Sequence, residues 1–195
     1  MTDPSRRRAA PRPPLVLASR SPQRRAILAQ LGIDFRVAPA DVEELSEGEP
    51  RRVVVENALR KARAVAGERV LGVDTAVVLD DRIFGKPAGA DEAGAVLRRL
   101  SGRTHEVMSG IALRDEDGTE RSDLAVTRVR FRALERRELD WYLASGEWRE
   151  RAGAYAIQGR GAALVERMEG DYLNVVGLPV TALLRIAPDL LRGPE

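Results

Sequence analysis

Residues 69–79, RVLGVDTAVVL, are apolar almost throughout. The run is rich in β-branched valine and stops at the acidic pair Asp80–Asp81, a hairpin turn signal before RIFGKP at 82–87. Such a run reads as a central, buried strand, and one residue inside it does not fit. Asp74 is a carboxylate, and an ionised carboxylate in an apolar interior is costly unless it is paired or bound to a metal. The expectation is that Asp74 lies at the carboxyl end of the strand and faces a crevice, where open α/β sheets place their ligands. A hairpin would return the two ends of the stretch, Asp74 and Lys86, to one cleft.

The flanking pattern alternates strands and helices. LVLAS at 15–19 reads as a short buried strand leading into a helix, with Ser21 as N-cap, Pro22 in the first turn and Gly32 as the stop. FRVAP is a second short strand, and the polar stretch 39–50 is a loop. Val54, Ala58, Ala62 and Val65 recur on one face of a helix within RRVVVENALRKARAVAG. A further helix is expected at 90–101, capped by Asp91 and stopped by Gly102. The segment 104–134 reads as a long hairpin around DEDG, and ERRELDWYLAS as a helix. AGAYAIQGRGAALVERMEGDY reads as short strands separated by glycines, and LPVTALLRIAPDLL as a closing helix. This order implies an α/β fold: a long, curved mixed β-sheet flanked by helices.

Composition narrows the chemistry. The 195 residues contain no cysteine, which excludes disulfides and thiolate metal sites and fits a reducing cytoplasm. A single histidine, His105, excludes two-histidine zinc motifs. No stretch is long and apolar enough to span a bilayer, and no apolar segment follows the basic N-terminus as in a signal peptide. The formal charge is +2, but four arginines against Asp3 place +3 in residues 1–13, which leaves −1 for the rest. A near-neutral body argues against a broad nucleic-acid surface. The Arg- and Pro-rich tail reads as disordered and solvated.

Four features point to phosphate. ASRSPQRR at 18–25 carries a strand into a helix N-terminus, where free backbone N–H groups, the Ser19 and Ser21 hydroxyls and Arg24 converge on an anion; the plainer reading is an ordinary capped helix. Asp74, with Asp41, Glu43 and Glu44 in the loop, supplies hard oxygen ligands suited to Mg²⁺ or Mn²⁺ rather than zinc, although charged loops are commonly just solvated. Lys61 and Lys86 are the only lysines among 32 lysines and arginines. In a chain that otherwise uses arginine, a retained ammonium suits point contact with a phosphate oxygen, whereas Lys61 also fits a helix-face cation. Gln158, in a glycine-flanked turn, offers an amide that can read a base edge or satisfy the local backbone. His105 reads as a polar strand residue, and Trp141, Tyr142 and Trp148 as helix packing.

Taken together the segments resemble the Maf family of nucleotide pyrophosphatases. The matching pieces are LASRSPQRRAIL (17–28), ADVEE (40–44), KARAVA (61–66), LGVDTAVVLDDRIFGKP (71–87), LRRLSGRTHEVMSGIAL (97–113), AGAYAIQGRGAALVERMEGDY (152–172) and VVGLPV (175–180), in family order. The resemblance implies an inosine triphosphatase-like fold with two lobes and a central cleft, commonly a homodimer. It implies one domain over 14–195 behind a disordered tail at 1–13. The activity it implies is house-cleaning hydrolysis of a nucleoside triphosphate to monophosphate and pyrophosphate with a divalent cation. Asp74 matches the proposed proton acceptor. Ser19, Arg24, Glu44, Lys61 and Lys86 match phosphate- and metal-handling positions, with Glu44 and Asp74 on the metal. Gln23, Thr75 and Gln158 match positions associated with substrate choice. Thr75 and Gln158 lean to the branch acting on dTTP and UTP, and Gln23 fits neither that branch nor the one acting on 7-methyl-GTP. The alternatives are a pyrophosphatase for 7-methyl-GTP or another modified purine nucleotide, and a non-catalytic nucleotide-binding regulator of cell division. No stable nucleic-acid or membrane partner is expected.

Overall fold

The computed structural model describes residues 14–191; the expected tail at 1–13 lies outside them. Seven strands form one sheet in the order β2-β1-β3-β5-β6-β7, with β4 also paired to β3. The apolar run becomes β3 (Arg69–Leu79), hydrogen-bonded along its length to β5 (Thr104–Asp115), which pairs in turn with β6 (Glu120–Phe131) and through it β7 (Val165–Glu169). β1 (Leu15–Leu17) lies parallel to β2 (Phe35–Val37) and to β3, and every other pairing is antiparallel. Asp80 and Asp81 both take left-handed backbone, with φ of 51° and 60°, and join β3 to β4 (Arg82–Phe84) by a two-residue turn. That geometry matches the twist of the strands it connects, and Asp is among the few residues that tolerate it. Among the described residues no helix is long and apolar enough to cross a membrane.

The other edge of β3 positions everything that follows. β1 pairs only with Val70 and Leu71, and β4 only with residues from Val77 to Leu79. Residues 72–76 have no strand on that side. Asp74 therefore sits in the middle of β3, in register with Gly110, and not at its carboxyl end as expected. The crevice opens there because β1 stops short, so it lies at the carboxyl end of β1.

Alternation along β3 sorts side chains onto two faces. Val70, Ala76 and Val78 face α2 (Pro50–Ala64), which packs Val54, Ala58 and Ala62 against the sheet. Two glycines allow that helix to lie directly on the backbone. A Cβ at Gly72 would stand 2.0 Å from the Ala58 carbonyl oxygen, and one at Gly110 2.2 Å from that of Val54. On the opposite face Leu71 and Val73 pack with Ile27, Leu28 and Leu183 of α1 (Pro22–Gln30) and the closing helix, while Val77 and Leu79 pack with Leu97, Phe131 and Tyr142 around α3 (Ala90–Leu100) and α4 (Arg136–Ser145). These two clusters lie along the same face of β3, one towards each end of the strand.

Several local expectations are corrected. α3 begins after Gly89, and Asp91 lies in its first turn without capping it. Residues 152–172 hold one strand, β7, preceded by two short 3-10 helices, Ala152–Ala154 and Gly159–Leu164. Left-handed backbone at Gly153 and Ala154, φ 67° and 62°, turns the chain tightly where extended structure was expected. A short helix, α5 (Tyr172–Val176), capped by Asp171, was not foreseen. The closing helix, α6 (Val180–Ile186), is shorter than expected because Pro188 disfavours helical backbone at Ala187. Tyr142 and Trp148 are core residues, but Trp141 is exposed, with the Arg160 guanidinium 5.5 Å from its ring.

Candidate active site

A cleft of about 830 Å³ opens along the unpaired edge of β3. The turn from β1 into α1 forms one side, the loop after β4 forms the other, and α2 and β3 supply the floor.

On the floor, Asp74 is 8% exposed. Its Oδ1 accepts from Lys61 Nζ at 2.7 Å and its Oδ2 from Asn57 Nδ2 at 3.0 Å. Asn57 and Lys61 stand four residues apart on α2, hence on one face, and the close seating of α2 over Gly72 delivers both to the carboxylate. Burial by itself would raise the Asp74 pKa. The Lys61 ammonium, its hydrogen bond, the Asn57 amide and the Arg24 charge together outweigh that and hold the carboxyl below its ordinary value of 3.8. Asp74 is ionised at neutral pH.

Asn57 also fixes the loop above it. Its Oδ1 accepts from Leu45 N at 2.8 Å and its Nδ2 donates to Leu45 O at 3.0 Å. That clasp carries the neighbouring Glu44 over the cleft, where its Oε1 lies 3.0 Å from Lys61 Nζ. Among the described residues no group of three or more His, Cys, Asp or Glu side chains could hold a metal. Glu44 and Asp74, both on the Lys61 ammonium, make a two-carboxylate set. Such a set suits Mg²⁺ or Mn²⁺ when phosphate oxygens and water complete the shell.

On the β1 side Ser21 caps α1, accepting from Arg24 N. Arg24 then reaches back across the open edge of β3. Its Nε donates to Gly177 O at 2.9 Å, its Nη1 to Ser19 Oγ at 3.0 Å and to Val73 O at 2.9 Å, and its Nη2 to Thr75 Oγ1 at 3.1 Å. The guanidinium thus stands where a neighbouring strand would have bonded Val73. Burial pulls its pKa down from 12.5, while Asp74 and Glu44 act the other way. Thr75 Oγ1 also shares a 2.9 Å hydrogen bond with Ser109 Oγ, which is fully buried.

On the β4 side Lys86 lines the cleft, yet its Nζ lies 3.0 Å from Glu150 Oε2 and both side chains are exposed. The lysine paired with Asp74 is Lys61.

The family described as Maf-like protein matches residues 14–189. The chain belongs to the Maf-like family. A dTTP/UTP pyrophosphatase of Anaeromyxobacter dehalogenans (strain 2CP-1 / ATCC BAA-258) is 49% identical over 183 residues, 90% of this chain and 94% of that protein. A dTTP/UTP pyrophosphatase of Thermoanaerobacter sp. (strain X514) is 46% identical over 179 residues, 88% of this chain and 94% of the relative. Among solved structures, a HAM1 protein from Coxiella burnetii aligns with a TM-score of 0.47 at 24% identity, over 63% of this chain and 74% of its own.

Within this Maf-like chain the cleft gathers Ser19, Gln23, Arg24, Glu44, Lys61, Asp74, Thr75 and Lys86. Gln158 is not among its lining residues: it is exposed and precedes the 3-10 helix at 159–164. His105 is also elsewhere, buried, with Nε2 2.9 Å from the Tyr155 hydroxyl. Burial lowers its pKa to about 4. Sequence reasoning missed Asn57, Ser109 and Arg151. Asn57 carried a readable signal, being a polar residue on the apolar face of a helix, one turn before Lys61. Ser109 carried none, because its role depends on the register of β5 against β3.

Proposed function

We propose that this chain hydrolyses dTTP and UTP to the nucleoside monophosphate and pyrophosphate. The observation that carries the reading is the ionised, buried Asp74 beside Lys61, on the floor of a cleft large enough for a nucleotide. The dTTP/UTP pyrophosphatase relatives, aligned over nearly their whole length, support it. Asp74 orients a water towards the α-phosphorus: Lys61 and Asn57 fix the carboxylate, and each of its oxygens can accept a second hydrogen bond. A carboxylate held below its ordinary pKa is a weak base. Its part is therefore positioning and electrostatics, with the water proton passing to it only as the new P–O bond forms. The bond from the α-phosphorus to the bridging oxygen breaks, and that oxygen leaves with pyrophosphate. Lys61 offsets charge on the phosphoryl oxygens. Glu44 and Asp74 would hold a divalent cation, which when bound stabilises charge on the phosphoryl group and acidifies water.

The test is a panel of dTTP, UTP, 7-methyl-GTP and the common nucleotides with Mg²⁺ or Mn²⁺, with pyrophosphate and orthophosphate detected separately. The expected result is pyrophosphate, fastest from dTTP and UTP, and a loss of about 100-fold or more in Asp74→Asn. Full activity in Asp74→Asn, or nucleotide binding without any product, would sink the assignment.

A further inference from the structure

The donors around the cleft include a residue outside the set that the sequence motifs single out. Arg24 has five N–H groups and gives four to protein acceptors: Gly177 O, Ser19 Oγ, Val73 O and Thr75 Oγ1. Lys61 lies within 3.0 Å of both Asp74 and Glu44, with Val73 O at 3.5 Å. The two cations on the β1 side and the floor are therefore largely satisfied by the protein itself. Their charge still acts on a bound triphosphate, but few of their N–H groups are left to donate, and its outer phosphoryl groups need donors that are free.

Those donors lie on the β4 side. Arg151 lines the cleft, and its Nε is buried with no hydrogen-bond partner among the described residues. The Nε is closed to solvent, so the terminal Nη groups, which donate to no acceptor among the described residues, are the ones that can meet an anion in the cleft. Its backbone is held on both sides: its N–H donates to Trp148 O at 3.3 Å and its carbonyl accepts from Ala154 N at 3.1 Å. The turn itself is fastened to the loop carrying Lys86, since Gly153 N donates to Gly85 O at 3.1 Å. Gly153 also packs on β3 so closely that a Cβ there would come within 2.5 Å of Val77. Arg151 is thus a cation at a fixed place with donors to spare, and the planar fork of a guanidinium fits phosphate oxygens in pairs. Lys86 beside it is engaged only by an exposed carboxylate, Glu150, which a phosphate can replace.

We propose that Arg151, with Lys86, binds the β- and γ-phosphoryl groups and holds the pyrophosphate that leaves. The proposal rests on the triphosphate reading above, so its test measures binding rather than turnover. The full chain is titrated with inorganic pyrophosphate, and separately with dTMP, in a calorimeter in the presence of Mg²⁺. Arg151→Met keeps the apolar stem and removes the donors. The expected result is pyrophosphate binding weakened about tenfold or more, dTMP binding within about twofold, and partial recovery in Arg151→Lys. Should Arg151→Met fail to fold, Arg151→Lys against the unaltered chain carries the test, since an ammonium lacks the fork and weakens pyrophosphate binding severalfold. Unchanged pyrophosphate affinity, equal loss of pyrophosphate and dTMP, or no pyrophosphate binding by the unaltered chain overturns the proposal. Pyrophosphate binding that depends on Arg151 in a chain that releases none from any nucleotide would instead sink the proposed reaction.

Discussion

Lys61 lies 2.7 Å from Asp74, with side chains only 10% and 12% exposed, while across the cleft Lys86 lies 3.0 Å from Glu150 with side chains 63% and 84% exposed. The contacts are nearly the same length, but their physics differs. The inner pair has lost most of its water, so Asp74 relies on Lys61 and Asn57 and Lys61 on Asp74 and Glu44, and removing Lys61 strands the carboxylate. The outer pair keeps its water, is screened by salt and holds little energy. The inner pair can therefore fix a geometry in advance of any ligand, whereas the outer pair can exchange a protein carboxylate for a phosphate at little cost. One cleft thus combines a rigid floor with an adaptable rim.

The largest test of that contrast is Lys61→Met. It leaves Asp74 buried with Asn57 and Arg24 alone, and at neutral pH it should destabilise the fold by about 3–5 kcal/mol in denaturant unfolding. Pairing it with Asp74→Leu should restore most of that loss. A loss below about 1 kcal/mol would show the floor to be as soft as the rim.

Next comes the support beneath the rim. His105 bonds the hydroxyl of Tyr155, which lines the cleft and directly follows the Ala152–Ala154 turn, itself hydrogen-bonded to Gly85 next to Lys86. The imidazole stays neutral in the folded chain down to about pH 4 against an ordinary 6.5. In that window the unfolded chain takes up a proton that the folded chain does not, so stability falls as pH drops from 6.5 towards 4, by roughly 3 kcal/mol in total. Urea titrations at stepped pH should show this slope, and His105→Gln should flatten it. An unchanged slope in the variant would remove His105 from the account.

The smallest effect belongs to the rim. Glu150→Gln should leave stability unchanged within error. It should lower the KM for a triphosphate by no more than about fivefold, with the difference fading as salt is raised. A larger, salt-independent change would mean that the outer pair is as structural as the inner one.

How much of this was legible beforehand depends on how far apart the partners lie in the chain. The β3 run, the Ser21–Pro22 start of α1 and the Asp80–Asp81 turn were readable because each is set by neighbouring residues. Ser19 and Arg24, five residues apart at one helix start, read as a pair for the same reason. That Arg24 also bonds the carbonyls of Val73 and Gly177 was not readable, since those acceptors are 49 and 153 residues away. The 152–172 segment misled because its alternating small and apolar residues mimic strands, whereas the left-handed backbone around Gly153 folds it into turns.

From the sequence alone came the order of strands and helices up to about residue 150, the presence of an acid within the apolar β3 run and the exceptional status of two lysines. These follow from periodicity, capping and composition, which act over a few residues. Only the tertiary structure decided which lysine meets Asp74, that Arg24 takes the place of a missing strand, and that Arg151 stands in the cleft with a donor unsatisfied. Those outcomes turn on where α2 can approach the sheet over Gly72 and Gly110 and on where β1 stops. Both are set by packing between distant segments and leave no local mark in the chain.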